Sequence, residues 1–223
     1  MADLSLDNVR VLSHSAVRIE AHNGTVLYFD PFQVAEEPHD ADVVFITHSH
    51  YDHLSPADAA KVMNGRTVVV APTTCAAEVE EALHPAEVRA LQPGEALTVA
   101  GVNVEAVRAY NVQPERLGFH PKENDWLGYV VTVDGVRYYV SGDTDENEDT
   151  LQVRCDVAFV PIGGTYTFDA AQAAAFVNAI HPQAVVPTHY GTAVGRKEDV
   201  DDFLPLVDPA IKAVVKMEWP EVG

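Results

Sequence analysis

Short runs of β-branched residues recur along the chain and constrain its fold more than any other feature. Two of them, VVFIT (43–47) and VAFVP (157–161), are apolar throughout, as is typical of strands covered on both faces. Length and composition predict strands at 26–29, 42–47, 67–71, 102–109, 127–133, 136–141, 156–161 and 184–187.

Helix patterns are fewer. Ser55 before Pro56 predicts a helix running toward Met63, because serine caps a helix and proline suits its first position. Thr73 or Thr74 is predicted to cap 76–83, Asp169 precedes an alanine-rich helix at 170–180, and a weaker pattern covers 197–204.

The order of these elements predicts one α/β domain over residues 1–223, with two mixed sheets packed face to face and helices outside. No Ser/Gly/Pro-rich linker divides the chain. Asp134-Gly135 separates two strand patterns, LGYVVTV and VRYYV, and predicts a two-residue hairpin turn.

The charge balance narrows the choice of partners. The chain has 34 acidic against 14 basic residues, a formal net charge of −20. This argues against nucleic acid and against anionic membranes, because both require clustered cations. Two isolated cysteines and a start without an apolar leader predict a cytoplasmic protein; the sequence does not indicate an oligomeric state.

The segment THSHYDHLS (47–55) carries the strongest chemical signal. It places His48, His50, Asp52 and His53 directly after the apolar strand 42–47. Ligands bind beyond the carboxyl ends of strands in α/β sheets, and imidazole and carboxylate are ligands for zinc-like metals. The spacing predicts that the first two imidazoles converge on one ion and the Asp-His pair turns toward a second.

This H-x-H-x-D-H pattern resembles the signature of the metallo-β-lactamase superfamily. Later motifs resemble its further elements in the expected order: FDPF with Asp30, FHPK with His120, SGDTD with Asp143 and PTHYG with His189. The segments FHPKENDWLGY and PIGGTYT most resemble sequences of the L-ascorbate-6-phosphate lactonase-like branch. The resemblance implies a four-layer αβ/βα sandwich.

The resemblance also implies a ligand set for two divalent cations. His48, His50 and His120 would hold one, Asp52, His53 and His189 the other, and Asp143 would bridge them. The nitrogen and oxygen donors suit zinc best, with manganese, iron or nickel as alternatives. A hydroxide shared by the cations would then attack a small-molecule lactone, ester or phosphoester, with Asp52 and Asp143 as the catalytic carboxylates.

Two other functions stay open at this point. One is a non-catalytic metal-binding or interaction scaffold. The other is a redox di-iron protein, although such relatives typically carry a carboxylate where this chain has His50. Nucleotide-binding and serine-hydrolase motifs are absent from the sequence.

Several further residues have two interpretations. Asp30 either accepts a hydrogen bond from a ligand histidine or is a turn residue before Pro31. His14 lies near the pocket or at a strand edge, and Gly163-Gly164 is either a tight backbone approach near the metals or a plain turn.

Four more residues stay open in the same way. Tyr166 and Trp126 either line the substrate pocket or belong to the core. Lys122 and Arg116 either receive an anionic substrate group or are solvated surface charges.

Overall fold

The computed structural model describes residues 4–219 and contains two mixed sheets. The first sheet is formed in chain order by β1 (Val9–Ser13), β2 (Ala16–Glu20), β3 (Val26–Phe29), β4 (Val43–Phe45), β5 (Val68–Pro72) and β6 (Glu87–Leu91). The second contains β7 (Ala96–Val99), β8 (Val102–Arg108), β9 (Leu127–Val133), β10 (Val136–Val140), β11 (Val157–Pro161), β12 (Ala184–Thr188) and β13 (Lys212–Ala213).

Four helices accompany the sheets among the described residues: α1 (Pro56–Val62), α2 (Ala76–Leu83), α3 (Ala170–Ile180) and α4 (Asp199–Phe203). None of them is long and apolar enough to cross a bilayer. In both sheets the early strands pair antiparallel and the later strands pair parallel.

Alternating side chains of the first sheet face two different cores. Leu27, Phe29 and Phe45 pack toward the second sheet, whereas Tyr28 and Val44 pack with side chains of α1 and α2. Helix α3 contacts β11 of the second sheet. The result is helix, sheet, sheet and helix in layers, so the predicted α/β sandwich is confirmed.

The local signals explain most of the element boundaries. The Ser55 hydroxyl accepts from the Asp58 backbone N–H, and Asp169 and Gln172 form a reciprocal capping box at α3. The Asp134-Gly135 turn has positive φ at both residues, as a type I′ hairpin requires.

Four strands were not predicted, and one predicted cap is wrong. The missed strands are β1, β6, β7 and the two-residue β13; most of the β6 and β7 side chains lie partly or fully in solvent, so they lack a buried pattern. The predicted threonine cap of α2 is wrong, because the Thr74 hydroxyl donates to the Asn124 carbonyl at 2.7 Å and Cys75 precedes the helix without a side-chain cap.

Candidate metal centre

Four loops bring the seven predicted ligands to one edge of the two sheets. His48, His50, Asp52 and His53 follow β4, whereas His120 lies between β8 and β9. Asp143 follows β10 and His189 follows β12. All seven lie in overlapping clusters whose candidate ligand atoms are within 4.8 Å of one another.

The first cluster contains three imidazoles. His48 Nε2 lies 3.0 Å from His50 Nδ1. The His120 ring centroid is 5.2 Å from that of His48 and 5.0 Å from that of His50. These are the residues that the resemblance assigned to one cation.

The carboxylate of Asp143 lies between the clusters. Its Oδ1 is 3.3 Å from His53 Nε2, and its Oδ2 is 3.3 Å from His120 Nε2 and 3.1 Å from His189 Nε2. Asp52 Oδ2 is 3.8 Å from His189 Nε2. The Asp143 carboxylate therefore lies within 3.3 Å of three of the predicted histidine ligands.

Buried polar atoms without partners show that this site suits a cation. His53 Nε2, His120 Nε2, His189 Nε2 and Asp143 Oδ1 are all buried and lack hydrogen-bond partners. Leaving such atoms unpaired costs about 1–3 kcal/mol each. A set of nitrogen and carboxylate donors that converge in this way fits divalent metal ions.

Asp30 fixes the orientation of the histidine-rich loop. Its carboxylate accepts from the Thr47 backbone N–H at 2.8 Å and the Thr47 hydroxyl at 2.6 Å, and lies 2.7 Å from His53 Nδ1. With the proton on Nδ1, His53 presents its Nε2 lone pair to the site. Thr47 Oγ1 in turn lies 3.0 Å from His48 Nδ1.

Asn111 plays the same part for His120 and was missed by the sequence analysis. Its Oδ1 lies 2.7 Å from His120 Nδ1, and its Nδ2 donates to the Tyr166 carbonyl at 3.1 Å. The only local signal is a polar side chain shortly after the β8 pattern, which does not distinguish it from other loop residues.

His14 is part of the site rather than only a strand-edge residue. Its side chain is fully buried in the β1–β2 turn, with Nε2 3.2 Å from Asp52 Oδ2 and Nδ1 2.7 Å from Thr192 Oγ1. Its carbonyl accepts from the His189 backbone N–H at 2.8 Å. The structure therefore supports the pocket interpretation of this residue.

Close backbone approaches hold two ligand loops. A Cβ on Gly163 would collide with the His189 carbonyl oxygen, so this position requires glycine. Gly142, with φ of +63°, precedes Asp143, and a Cβ there would lie 3.0 Å from Thr47 Cβ. Gly163 therefore marks a tight approach beside the site and not a plain turn.

The site keeps its carboxylates ionised. Burial raises the pKa of Asp52, but the hydrogen bond from His14 and the nearby His53 outweigh it and lower this pKa to about 2. Burial likewise opposes ionisation of Asp143, but His189 and His53 hold its pKa well below the usual value. Both side chains are therefore anionic at neutral pH.

The pKa values of His14, His48 and His53 are shifted in two different directions. Burial lowers the pKa of His14 to about 3 and that of His48 well below its usual value, so both are neutral. Burial also disfavours a charged His53, but Asp143 and Asp30 raise its pKa well above the usual value. A position that attracts a proton between two carboxylates also attracts a metal cation.

The four other residues with two interpretations differ in where they lie relative to the site. Tyr166 lines the cavity above the ligands, and the Trp126 ring packs 4.9 Å from both His48 and His50. Lys122 is exposed and pairs with Glu148, as a solvated charge would. Arg116 is only 5% exposed and pairs with Asp145 at 2.7 Å, so the solvated interpretation is wrong for it.

Known proteins are similar to this chain in both sequence and fold. A family profile described as "Beta-lactamase superfamily domain" matches residues 8–189. A UPF0173 metal-dependent hydrolase of Thermococcus kodakarensis is 31% identical over 226 residues, covering 96% of this chain and 98% of that protein. A candidate metal-dependent hydrolase from Parabacteroides distasonis, known from a crystal structure, is 27% identical, with a TM-score of 0.76 and coverage of 94% and 93%.

The fold and the converging ligands therefore define a member of the metallo-β-lactamase superfamily. Within that superfamily, the chain belongs to the UPF0173 metal-dependent hydrolase family. The superfamily prediction is confirmed, whereas the lactonase-like branch stays a prediction.

Proposed function

We propose that this chain is a metal-dependent hydrolase acting on a lactone, ester or phosphoester of a small molecule. The observation that carries the proposal is the convergence of seven ligand side chains around buried polar atoms that have no other partner. His48, His50 and His120 would hold one cation, Asp52, His53 and His189 the second, and Asp143 both. Membership of the UPF0173 metal-dependent hydrolase family supports metal-dependent hydrolysis.

When bound, two zinc-like cations would supply a water with a pKa of about 7 and polarise a substrate oxygen. The chain's own residues orient the histidine rings and supply a negative charge at the cavity. Asp30, Thr47 and Asn111 hold His53, His48 and His120 with one ring nitrogen directed into the site. The ionised Asp52 lines the cavity, and in this proposal it would accept a hydrogen bond from the attacking water.

Metal analysis and a substrate panel test the proposal together. Protein purified without added metal should contain about two equivalents per chain. With zinc, manganese or nickel it should hydrolyse at least one member of a panel of esters, lactones and phosphodiesters. The Asp52→Ala variant should lose this activity, whereas His22→Ala, which alters an exposed histidine outside the candidate clusters, should retain it.

The alternatives give different results in the same experiment. Full metal content without turnover on any member would favour a binding scaffold, and iron that reacts with oxygen or nitric oxide would favour a redox site. A metal content near zero after gentle purification would overturn the proposal. Zinc as the metal and a cytoplasmic location stay predictions.

A further inference from the structure

The cavity above the ligands has two chemically different parts. Its volume is about 270 Å³. His50, Asp52, His120 and Asp143 form the part beside the proposed metals. The remaining lining residues are aromatic or aliphatic: Tyr51, Phe119, Tyr166, Ala193 and Val194.

The aromatic side chains at this opening are unusually exposed for apolar groups. Tyr51 is 71% exposed and Phe119 is 42% exposed. Phe119 packs edge to face on Tyr166 at 4.6 Å, and Tyr51 meets Phe32 in the same way at 5.9 Å. Large apolar side chains gathered around one opening are typical of a ligand-binding surface.

No described residue that lines this cavity is a lysine or an arginine. The cations nearest in sequence are held elsewhere. Lys122 lies 2.6 Å from Glu148 and over the Tyr110 ring, and buried Arg116 pairs with Asp145 and donates to the Thr167 carbonyl.

The loop that supplies Ala193 and Val194 also keeps its cations away from the cavity. Arg196 lies 3.1 Å from Asp199, and Lys197 lies over the Trp219 ring at 4.6 Å. An anionic group bound between the aromatic walls would therefore lose part of its hydration without gaining a lysine or arginine as a partner, which is unfavourable. The net charge of −20 further disfavours anions.

We infer that the part of the substrate away from the reacting bond is uncharged and apolar, with an aromatic ring or a short alkyl chain. This inference rests on the proposed hydrolase function and narrows its substrate class. It favours esters and lactones with apolar substituents over substrates that carry a phosphate or carboxylate distant from the reacting bond.

Matched substrate pairs test the inference. Each pair is a phenyl-substituted ester or lactone and the same compound with a carboxylate or phosphate on its ring. The neutral member should have a kcat/KM at least about 10-fold higher. Phe119→Ala should lower kcat/KM more for the phenyl ester than for a methyl ester, mainly through KM. Leu117→Ala changes an exposed neighbour that does not line the cavity, and serves as the control.

A gain of function provides the converse test. Ala193→Lys places a cation at the rim and should raise the kcat/KM of the anionic member relative to the neutral member by about 3- to 10-fold at low salt. The gain should shrink as salt is added, because exposed charges are screened. Metal content should match that of the parent protein.

A binding measurement tests the substrate preference separately from the hydrolase activity on which the inference rests. A neutral aromatic amide analogue, titrated calorimetrically into metal-loaded protein, should bind more tightly than its ring-carboxylated counterpart, and Phe119→Ala should weaken it. Turnover with a preference for the anionic members would overturn the inference and leave the hydrolase intact. Selective binding of the neutral analogue without turnover of any ester, lactone or phosphoester would overturn the hydrolase instead.

Discussion

At the residue scale, Asp30 contacts a predicted ligand although it does not line the cavity, so we expect it to affect metal binding. Asp30→Asn replaces a carboxylate that has Thr47 and His53 as partners by an amide with a single acceptor oxygen. We expect metal affinity to fall about 10- to 100-fold, measured by competition with a chelator. Asp201→Asn, at an exposed position on α4, should leave the affinity unchanged.

His14 gives a second prediction at this scale. It contacts Asp52 and shares a cluster with His53 and His189, but not with His48, His50 and His120. His14→Ala should therefore weaken one of two binding steps in a stepwise cobalt titration and spare the other, and His22→Ala should change neither. Equal weakening of both steps would contradict this account.

At the scale of elements, the loop between β8 and β9 depends on a buried ion pair. Asp145 accepts from the backbone N–H groups of Val112 and Gln113, and Arg116 pairs with it at 2.7 Å. Arg116→Met would leave the Asp145 carboxylate buried without its cation. We expect a loss of about 3–5 kcal/mol in the free energy of unfolding, measured with urea.

The control for this loss is a surface pair. Arg89 and Glu87 lie 2.7 Å apart with about half of each side chain exposed, so Arg89→Met should cost less than about 1 kcal/mol. Similar losses in the two variants would show that the Arg116 pair does not support the loop.

The start of α1 makes stability depend on pH. Burial opposes ionisation of Asp58, but Lys61, Ser55 and the backbone N–H groups of Gln33 and Val34 lower its pKa below the ordinary 3.8. A lowered folded-state pKa stabilises the protein above about pH 3.8, and this contribution is lost as pH falls through the folded-state value. Asp58→Asn should cost about 1–2 kcal/mol at pH 7, because hydrogen bonds to a charged group are weakened or lost.

Urea unfolding at several pH values measures this effect. The difference between the parent protein and Asp58→Asn should shrink as the pH is lowered below about 3.8. Asp201→Asn should show no such convergence. A difference that stays constant down to pH 2 would assign the cost of the substitution to packing and not to charge.

For the whole molecule, metal should add stability to a fold that exists without it. Phe29 stacks on Phe45 at 4.6 Å, and Phe45 meets Tyr129 at 5.2 Å, so the inter-sheet core does not depend on the ligands. A ligand at 1,000 times its Kd adds about 4 kcal/mol. Chelation should therefore lower Tm but preserve the far-ultraviolet circular dichroism, and zinc should restore Tm. An unchanged Tm would argue against a native metal site.

The sequence by itself determined the features that are local along the chain. Four candidate ligands lie within residues 48–53 after an apolar strand, and Asp134-Gly135 defines a hairpin. Such patterns are readable because burial alternates along a strand and turns need particular residues. The resemblance supplied His120, Asp143 and His189, whose spacing alone does not bring them together.

Only the tertiary structure decided which distant side chains support those ligands. Asn111 holds His120, His14 lies between Asp52 and Thr192, and Arg116 is buried on Asp145. Each of these contacts forms where loops from separate strands meet at one sheet edge. The periodicity of apolar residues predicts that a side chain is buried, but it does not predict which distant side chain it contacts. That contact depends on how the strands pair and on the course of the loops between them.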